Sequence, residues 1–175
     1  PANAAVRTVV EDHTLSGWDI DDGLRHNLVH HVVQDKAGFI WAATWEGAAR
    51  FNGRSFTVFD RENTPGLELS GVFNFIAEDD GSLLAGTADG VYQFRQGQWR
   101  ALAPSVMSGM RVNSMLRDRD GTLWVSSASK LHRLHADGRL EDVSVRPGFP
   151  KSFVTTLAQS EAGVVMVGTE SGLYR

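Results

Sequence analysis

Three histidines, His26, His30 and His31, stand close together near the start of the chain. Imidazole nitrogens are common metal ligands, and two histidines four residues apart share one ion when they lie on a helix. The segment around His30 has the composition of a strand instead, so His30 and His31 are expected to point to opposite faces. Solvated or edge-lining histidines are therefore a better interpretation than a metal site.

Several acidic segments resemble parts of an oxygen-ligand cage or a paired-carboxylate site. The segment from Asp19 to Gly23 lacks the alternating third ligand and the terminal glutamate of a calcium loop. The segments 78–80 and 118–121 fit solvated hairpin turns better than acid–base pairs. The sequence thus predicts no catalytic residue, no metal and no cofactor.

Composition excludes several further classes of function. The chain has 175 residues, a net charge of −4 and no cysteine, which argues against nucleic-acid binding, a disulfide framework and thiolate chemistry. It contains no Gly-x-Ser-x-Gly nucleophile motif and no glycine-rich phosphate loop. No apolar run approaches the ~18 residues that a membrane span requires.

The chain repeats one pattern four times, and three columns of residues keep the same register. The spacings within each column are 43, 40 and 42 residues. The columns are Gly38, Gly81, Gly121 and Gly163; Thr44, Thr87, Ser127 and Thr169; and Val29, Val72, Val112 and Val154. A period of ~40–45 residues is typical of the four-stranded blade of a β-propeller.

The predicted fold is all-β, a β-propeller with four blade repeats of four antiparallel strands. The predicted blades cover residues 28–60, 71–103, 111–145 and 153–175. The fourth copy reaches Arg175 before its outermost strand, so we expect the chain to be part of a larger propeller. Val6–Val10 is a candidate strand for closing the ring.

Turn residues and one apolar column define the architecture of each copy. An Asp-x-x-Gly turn follows the first strand, because aspartate bonds the backbone two residues on and glycine supplies a positive φ. Trp41, Leu84, Trp124 and Met166 share one column and are expected to pack between neighbouring blades. Lys130 stands where other copies have glycine, so that turn either changes type or places Lys130 in a left-handed conformation.

In a propeller, the loops that enter the first strand and those that follow the second converge on one axial mouth. The residues there vary between copies, and their mixture of aromatic, amide and charged groups suits a small polar ligand such as a sugar or a peptide. The candidate binding residues are Arg25, His26, Asn27, Trp45, Glu46, Asp89, Arg111, Asn113 and Lys130. Trp45 either binds ligand or packs on a neighbouring blade.

The repeats resemble the two-component regulator propeller repeat. That pattern joins Gly-Leu-x-x-Asn-x-Val to Asp-x-x-Gly-x-Leu-Trp and then Thr-x-x-Gly, and the copy from Gly23 to Phe51 fits it best. Residues 78–94 and 118–134 also match well, and residues 159–175 match in part. The resemblance implies an extracytoplasmic, periplasmic or extracellular, sensor domain. Its membrane span and its histidine-kinase or diguanylate-cyclase output domain would lie outside this chain.

Three functions from different classes follow from this fold. The first is a non-catalytic module that binds a ligand and biases an output domain. The second is a propeller lyase or hydrolase, which would require His30 or His31, Glu46 and Asp89 to converge at the axis. The third is a protein-interaction scaffold.

The two ends of the chain give two further expectations. The small residues from Pro1 to Ala5 fit either the product of signal-peptide cleavage or a trimmed boundary. Open blade edges invite strand pairing, so we expect the chain to form homo-oligomers unless Val6–Val10 closes the ring.

Overall fold

The computed structural model describes residues 8–10, 13–64 and 71–175. It is an all-β propeller in which each predicted copy forms its own antiparallel sheet. The first blade consists of β3 (Val29–Gln34), β4 (Ile40–Thr44), β5 (Gly47–Phe51) and β6 (Phe56–Phe59). The second consists of β7 (Val72–Ala77), β8 (Leu83–Thr87), β9 (Gly90–Arg95) and β10 (Gln98–Leu102).

The third and fourth copies continue the same strand order. The third blade consists of β11 (Ser114–Arg117), β12 (Leu123–Ser127), β13 (Lys130–Leu134) and β14 (Leu140–Asp142). The fourth sheet has three strands, β15 (Val154–Gln159), β16 (Val165–Thr169) and β17 (Gly172–Tyr174). Consecutive innermost strands, β3, β7, β11 and β15, contact one another and surround the axis.

The segment before the first blade forms a separate hairpin. In it, β1 (Thr8–Val10) pairs with β2 (His13–Leu15) in a two-stranded sheet. The described part of the candidate closing strand therefore pairs locally and does not join the sheet of the fourth copy. Val6 lies outside the described residues.

Helical structure is confined to short turns in the described residues. These are a 3-10 turn at Ile20–Asp22, α1 at Pro104–Met107 and a 3-10 turn at Val143–Val145. None of the described helices is long and apolar enough to cross a membrane.

The Asp-x-x-Gly turn forms as predicted and also anchors the core tryptophan. Asp35 Oδ1 accepts a hydrogen bond from the backbone N–H of Ala37, 2.9 Å away, and Gly38 has a φ of 88°. Asp35 Oδ2 accepts from Trp41 Nε1 at 2.8 Å, and Asp118 accepts from Trp124 at the same distance. The turn aspartate thus satisfies the one polar atom of a side chain that packs between blades.

Three members of the apolar column pack between blades as predicted. Trp41 is fully buried in a cluster that includes Phe75 of the second blade. Leu84 packs with Val112 and Met115 of the third copy, and Trp124 packs against the fourth. The apolar clusters thus join residues of neighbouring blades.

The threonine column stabilises a glycine turn, and the third copy forms a different turn at this place. The Thr44 hydroxyl donates to the carbonyl oxygen of Gly47 at 2.9 Å, and Thr87 does the same with Gly90. In the third copy, the left-handed residue is Ala128, with a φ of 50°, and Lys130 has no positive φ. The turn at Lys130 therefore changes type, which was one of the two predicted alternatives.

Candidate ligand-binding site at the propeller axis

A β-bulge recurs at the start of the innermost strands. In β3, β7 and β15 the pairing skips one residue directly after the first, and the skipped residues are His30, Phe73 and Thr155. Asn113 occupies the same repeat position just before β11. A bulge leaves the extra residue unpaired and redirects nearby side chains. Here it turns two consecutive side chains of a strand toward the axis.

The four innermost strands line an axial cavity of about 380 Å³ that is open to solvent. In each copy, two consecutive residues at the bulge position line the cavity. Two further lining residues, Arg111 and Phe153, come shortly before these pairs. The lining residues are His30, His31, Phe73, Asn74, Arg111, Asn113, Ser114, Phe153, Thr155 and Thr156. The prediction that His30 and His31 point to opposite faces is wrong, because the bulge brings both to this cavity. Among the described residues, the lining contains aromatic, amide, hydroxyl and cationic groups and no carboxylate.

An aromatic and cationic cluster stands at one side of the cavity. The ring of Phe73 lies 5.2 Å from the ring of His30 and 5.7 Å from that of Trp45. The guanidinium carbon of Arg111 lies 4.5 Å from the centre of the Phe73 ring and 5.8 Å from that of Trp45. Such cation–π contacts fix the orientation of a guanidinium without neutralising its charge.

Hydrogen bonds between innermost strands fix the polar groups of the lining. The backbone N–H of Phe75 donates to His31 Nδ1 at 3.3 Å, which places the proton of the neutral ring on Nε2. Ser114 Oγ accepts from the backbone N–H of Leu157 at 3.2 Å. The Oδ1 atom of Asn74 is buried and has no hydrogen-bond partner within the described part of the protein.

Two segments of the chain match a known family model, that of the two-component regulator propeller, at residues 23–46 and 107–129. These two segments are thus similar to two-component regulator propeller repeats. They contain most of the best-fitting copy identified from the sequence and the turn of the third copy. No curated protein is significantly similar to this chain.

Solved structures similar to these repeats are propellers. One is the extracellular domain of a hybrid two-component system from B. thetaiotaomicron, with 22% identity, a TM-score of 0.73, and coverage of 86% of this chain and 20% of that one. A second such domain from B. thetaiotaomicron has 16% identity, a TM-score of 0.69, and coverage of 87% and 21%. The chain therefore spans about a fifth of the length of these domains.

An enzyme shares the same fold. Virginiamycin B lyase from Staphylococcus aureus has 12% identity and a TM-score of 0.61, and the alignment covers 83% of this chain and 54% of the lyase. At this identity the likeness concerns the fold alone. The chemistry available to this chain must be argued from its own residues.

Trp45, Arg111 and Asn113 are the candidate binding residues that the structure brings to the axial cavity. Arg111 and Asn113 line it, and the ring of Trp45 contacts both His30 and Phe73 beside it. Trp45 is nevertheless 46% exposed. It therefore packs on the neighbouring blade and still presents a free face to solvent.

Arg25 and Glu46 lie together in an ion-pair network outside the axial lining. The Arg25 guanidinium lies 3.8 Å from Glu46, 3.2 Å from Asp60 and 2.8 Å from Glu62. The hydrogen bond that Arg25 donates to Glu62 and the charge of Asp60 raise the pKa of Arg25 above its ordinary value. This network ties the loop before β3 to the end of the first blade.

His26 and Asn27 stabilise their own loop. His26 Nδ1 accepts from the backbone N–H of Leu28 at 2.9 Å, and Asn27 Oδ1 accepts from that of Ile20 at 3.0 Å. Neither residue lines the axial cavity.

Asp89 and Lys130 also have partners within the fold. Asp89 accepts from the backbone N–H of Gly109, and Lys130 lies 3.3 Å from Asp142. Asp89 therefore holds the segment at Gly109, and Lys130 pairs with the last residue of β14. Neither residue lines the axial cavity.

Sequence reasoning missed six residues of the lining. They are Phe73, Asn74, Ser114, Phe153, Thr155 and Thr156. The signal of five is present in the repeat, since all but Phe153 stand one or two positions after the valine column, where the copies differ from one another. The positions were assigned to the strand because the bulge that exposes them is not visible in the sequence.

A larger cavity, of about 560 Å³, lies between the third and fourth blades. Its lining includes Trp124, Phe149 and Tyr174. Trp124 occupies the repeat position of Trp41, whose ring packs 5.8 Å from Trp99 of β10, an outermost strand. This cavity thus occupies the position that an outermost strand fills in the second blade, and we assign it to blade packing.

The described residues include no group of three or more histidine, aspartate or glutamate side chains placed to hold a metal ion. His30 and His31 are close in sequence, yet the described lining of their cavity supplies no carboxylate as a further ligand. The chemistry that the axial lining can perform is hydrogen bonding, stacking and charge recognition.

We expect acidification to destabilise the propeller through His31. Burial lowers the pKa of His31 below its ordinary value of 6.5, and protonation would also block the bond that Nδ1 accepts from Phe75. A lowered folded-state pKa means that this contribution is complete above pH 6.5 and is lost as the pH falls through the folded-state pKa.

The measurement is the melting temperature against pH for the native protein and for His31→Asn, which keeps an acceptor near Phe75. The native protein should lose more stability between about pH 7.5 and 5 than the variant does. His26→Asn controls for removal of a histidine elsewhere in the chain. Parallel curves for the native protein and His31→Asn would contradict the prediction.

Proposed function

We propose that this chain is the ligand-sensing propeller of an extracytoplasmic receptor and that it binds a small polar ligand in the axial cavity. The main observation behind the proposal is that the four copies repeat the residues that form the blades but not the residues that line the cavity. The four copies keep the same valine, glycine and threonine columns, yet the bulge column reads His30, Phe73, Asn113 and Thr155. A repeated scaffold with a non-repeated lining is what a specific asymmetric ligand requires.

The proposed class of receptor is supported by the similarity of two segments to two-component regulator propeller repeats and by the solved structures that share the fold. Those structures include extracellular domains of two-component systems from B. thetaiotaomicron. On this proposal a membrane span and an output domain belong to the same receptor as this chain. The ligand would act by favouring one arrangement of the receptor over another, to the extent of its differential affinity for the two.

The enzyme hypothesis required a histidine and two carboxylates to meet at the axis. His30 and His31 line the cavity, whereas Glu46 pairs with Arg25 and Asp89 caps the segment at Gly109. An imidazole without a carboxylate partner is a weaker general base than an oriented one. Binding without turnover is therefore the function that this arrangement supports best.

A thermal-shift screen with one matched pair of variants tests the proposal. The panel contains neutral sugars, acidic sugars, amino acids and short peptides. Thr156→Phe adds bulk to the axial lining on β15, and Thr57→Phe makes the same change at an exposed position on β6. A ligand present at ~100 times its Kd should stabilise the native protein by ~2.7 kcal/mol.

We expect a ligand that raises the melting temperature of the native protein and of Thr57→Phe and has little effect on Thr156→Phe. A ligand that stabilises both variants equally would show that binding occurs elsewhere. Product formation in the same samples, lost in His31→Ala, would support the enzyme hypothesis instead.

A further inference from the structure

The axial cavity is a cationic site in an acidic protein. The chain has a net charge of −4, but among the described residues of this lining the charged and titratable groups are Arg111, His30 and His31. The charge of Arg111 is one of the causes that lower the pKa of His30, after burial of the ring. The nearest acidic neighbour of Trp45 in sequence, Glu46, is held by Arg25. The field inside this cavity therefore favours a negatively charged group.

Arg111 differs from the paired arginines of the fold. Arg25 lies 2.8 Å from Glu62, and Arg117 lies 2.6 Å from Glu78. Arg111 has no ion pair and no side-chain hydrogen bond with any described residue, and its guanidinium is held over the ring of Phe73. A guanidinium held by its flat face keeps its five N–H donors available at its edge, where a carboxylate can accept two of them.

One further group of the lining is placed for a ligand that also carries hydroxyl groups. The Nδ1 atom of His31 is occupied by the backbone N–H of Phe75, so the Nε2–H of His31 is available as a donor. A ligand hydroxyl can accept a hydrogen bond from it.

We propose that the axial cavity binds a small hydroxylated carboxylate. Its carboxylate accepts from Arg111, a hydroxyl accepts from the Nε2–H of His31, and its apolar face rests against the aromatic cluster of Phe73 and Trp45. The cavity of about 380 Å³ suits a ligand of one sugar ring or a short acyclic acid. This inference rests on the proposed function and specifies its ligand class. Cyclic sugar acids and acyclic hydroxy acids share the required chemistry.

The test uses galacturonate, its neutral counterpart galactose, and gluconate as the acyclic acid, with binding followed by NMR of the labelled protein. We expect galacturonate or gluconate, and not galactose, to shift the Arg111 Nε–H resonance and the His31 ring resonances. Arg111→Gln should weaken that binding by about tenfold or more, because a charge-assisted bidentate contact is lost. Arg100→Gln, at an exposed position on β10, should leave it unchanged.

Arg111→Lys separates charge from geometry. It keeps the cation and loses the planar fork, so its affinity for the acid should fall between those of the native protein and Arg111→Gln. Retained chemical-shift dispersion in each variant shows that the blade is intact. Galacturonate binding that survives Arg111→Gln, or acids that leave the Arg111 and His31 resonances unmoved, would overturn the inference.

The outcomes also separate this inference from the proposed function. Galactose that shifts the amides of Asn74 and Thr156 as strongly as galacturonate does would overturn the ligand class and leave the axial site standing. An acid that binds but shifts only resonances far from the axial lining would overturn both. Comparison of galacturonate with gluconate tells whether the ring or the open chain is the better fit.

Discussion

Replacing Trp41 with alanine is expected to lower the free energy of unfolding by about 3–5 kcal/mol. The Trp41 side chain is fully buried, and its ring lies 5.0 Å from that of Phe94 and 5.8 Å from that of Trp99 in the next blade. The substitution removes this contact between blades and also leaves the Asp35 carboxylate without the indole N–H that it accepts from. Both effects act in the same direction.

Urea unfolding followed by far-UV circular dichroism measures this change. Trp45→Ala is the matched control, because Trp45 is 46% exposed and its loss removes ring contacts at the surface only. We expect the control to cost about 1 kcal/mol. Equal losses for the two variants would show that Trp41 does not hold the first two blades together.

The substitution Gly47→Ala is expected to destabilise the protein by about 2–4 kcal/mol. Gly47 begins β5 with a φ of +131°, a conformation that side chains rarely adopt. A Cβ at this position would overlap the carbonyl oxygen of Phe59 and lie 3.2 Å from the Cβ of Asp60. The backbone of the outermost strand would have to move, since no flexible side chain can give way.

Gly53→Ala separates the strain of a positive φ from the overlap with the Phe59 backbone. Gly53 has a φ of +93° in an open turn, and a Cβ there would have no neighbour within 4 Å. It should therefore cost only the conformational strain of about 1–2 kcal/mol. If Gly47→Ala costs no more than Gly53→Ala in chemical unfolding, the close approach of the Phe59 backbone is not a constraint on the sequence.

The sequence was informative about the blades because each copy repeats the same local chemistry. The Asp35 turn and the Trp41 column were predictable, since hydrogen bonding within a turn and burial between sheets depend on residue type and spacing. The third innermost strand begins at Ser114, later than the predicted Val112. The backbone N–H of Val112 bonds to the carbonyl oxygen of Thr87 in the preceding blade, a contact that no pattern within one copy reveals.

The candidate site was predictable only in part, because its geometry depends on irregular backbone. Trp45, Arg111 and Asn113 could be assigned to the axis from the order of loops in a propeller. The participation of His31 could not, since a regular strand would have directed it away from His30. The partners of Lys130 and Asp89, which lie across a sheet or in another loop, likewise follow from tertiary placement and not from local spacing.

The central claim is that the axial cavity, and not the larger cavity between the third and fourth blades, is the ligand site. The most direct test is to map the amide chemical-shift changes that the tightest ligand of the screen produces. The account predicts that they concentrate at residues 30–31, 73–74, 113–114 and 155–156. Changes concentrated instead around Trp124, Phe149 and Tyr174, with the axial amides unmoved, would contradict it.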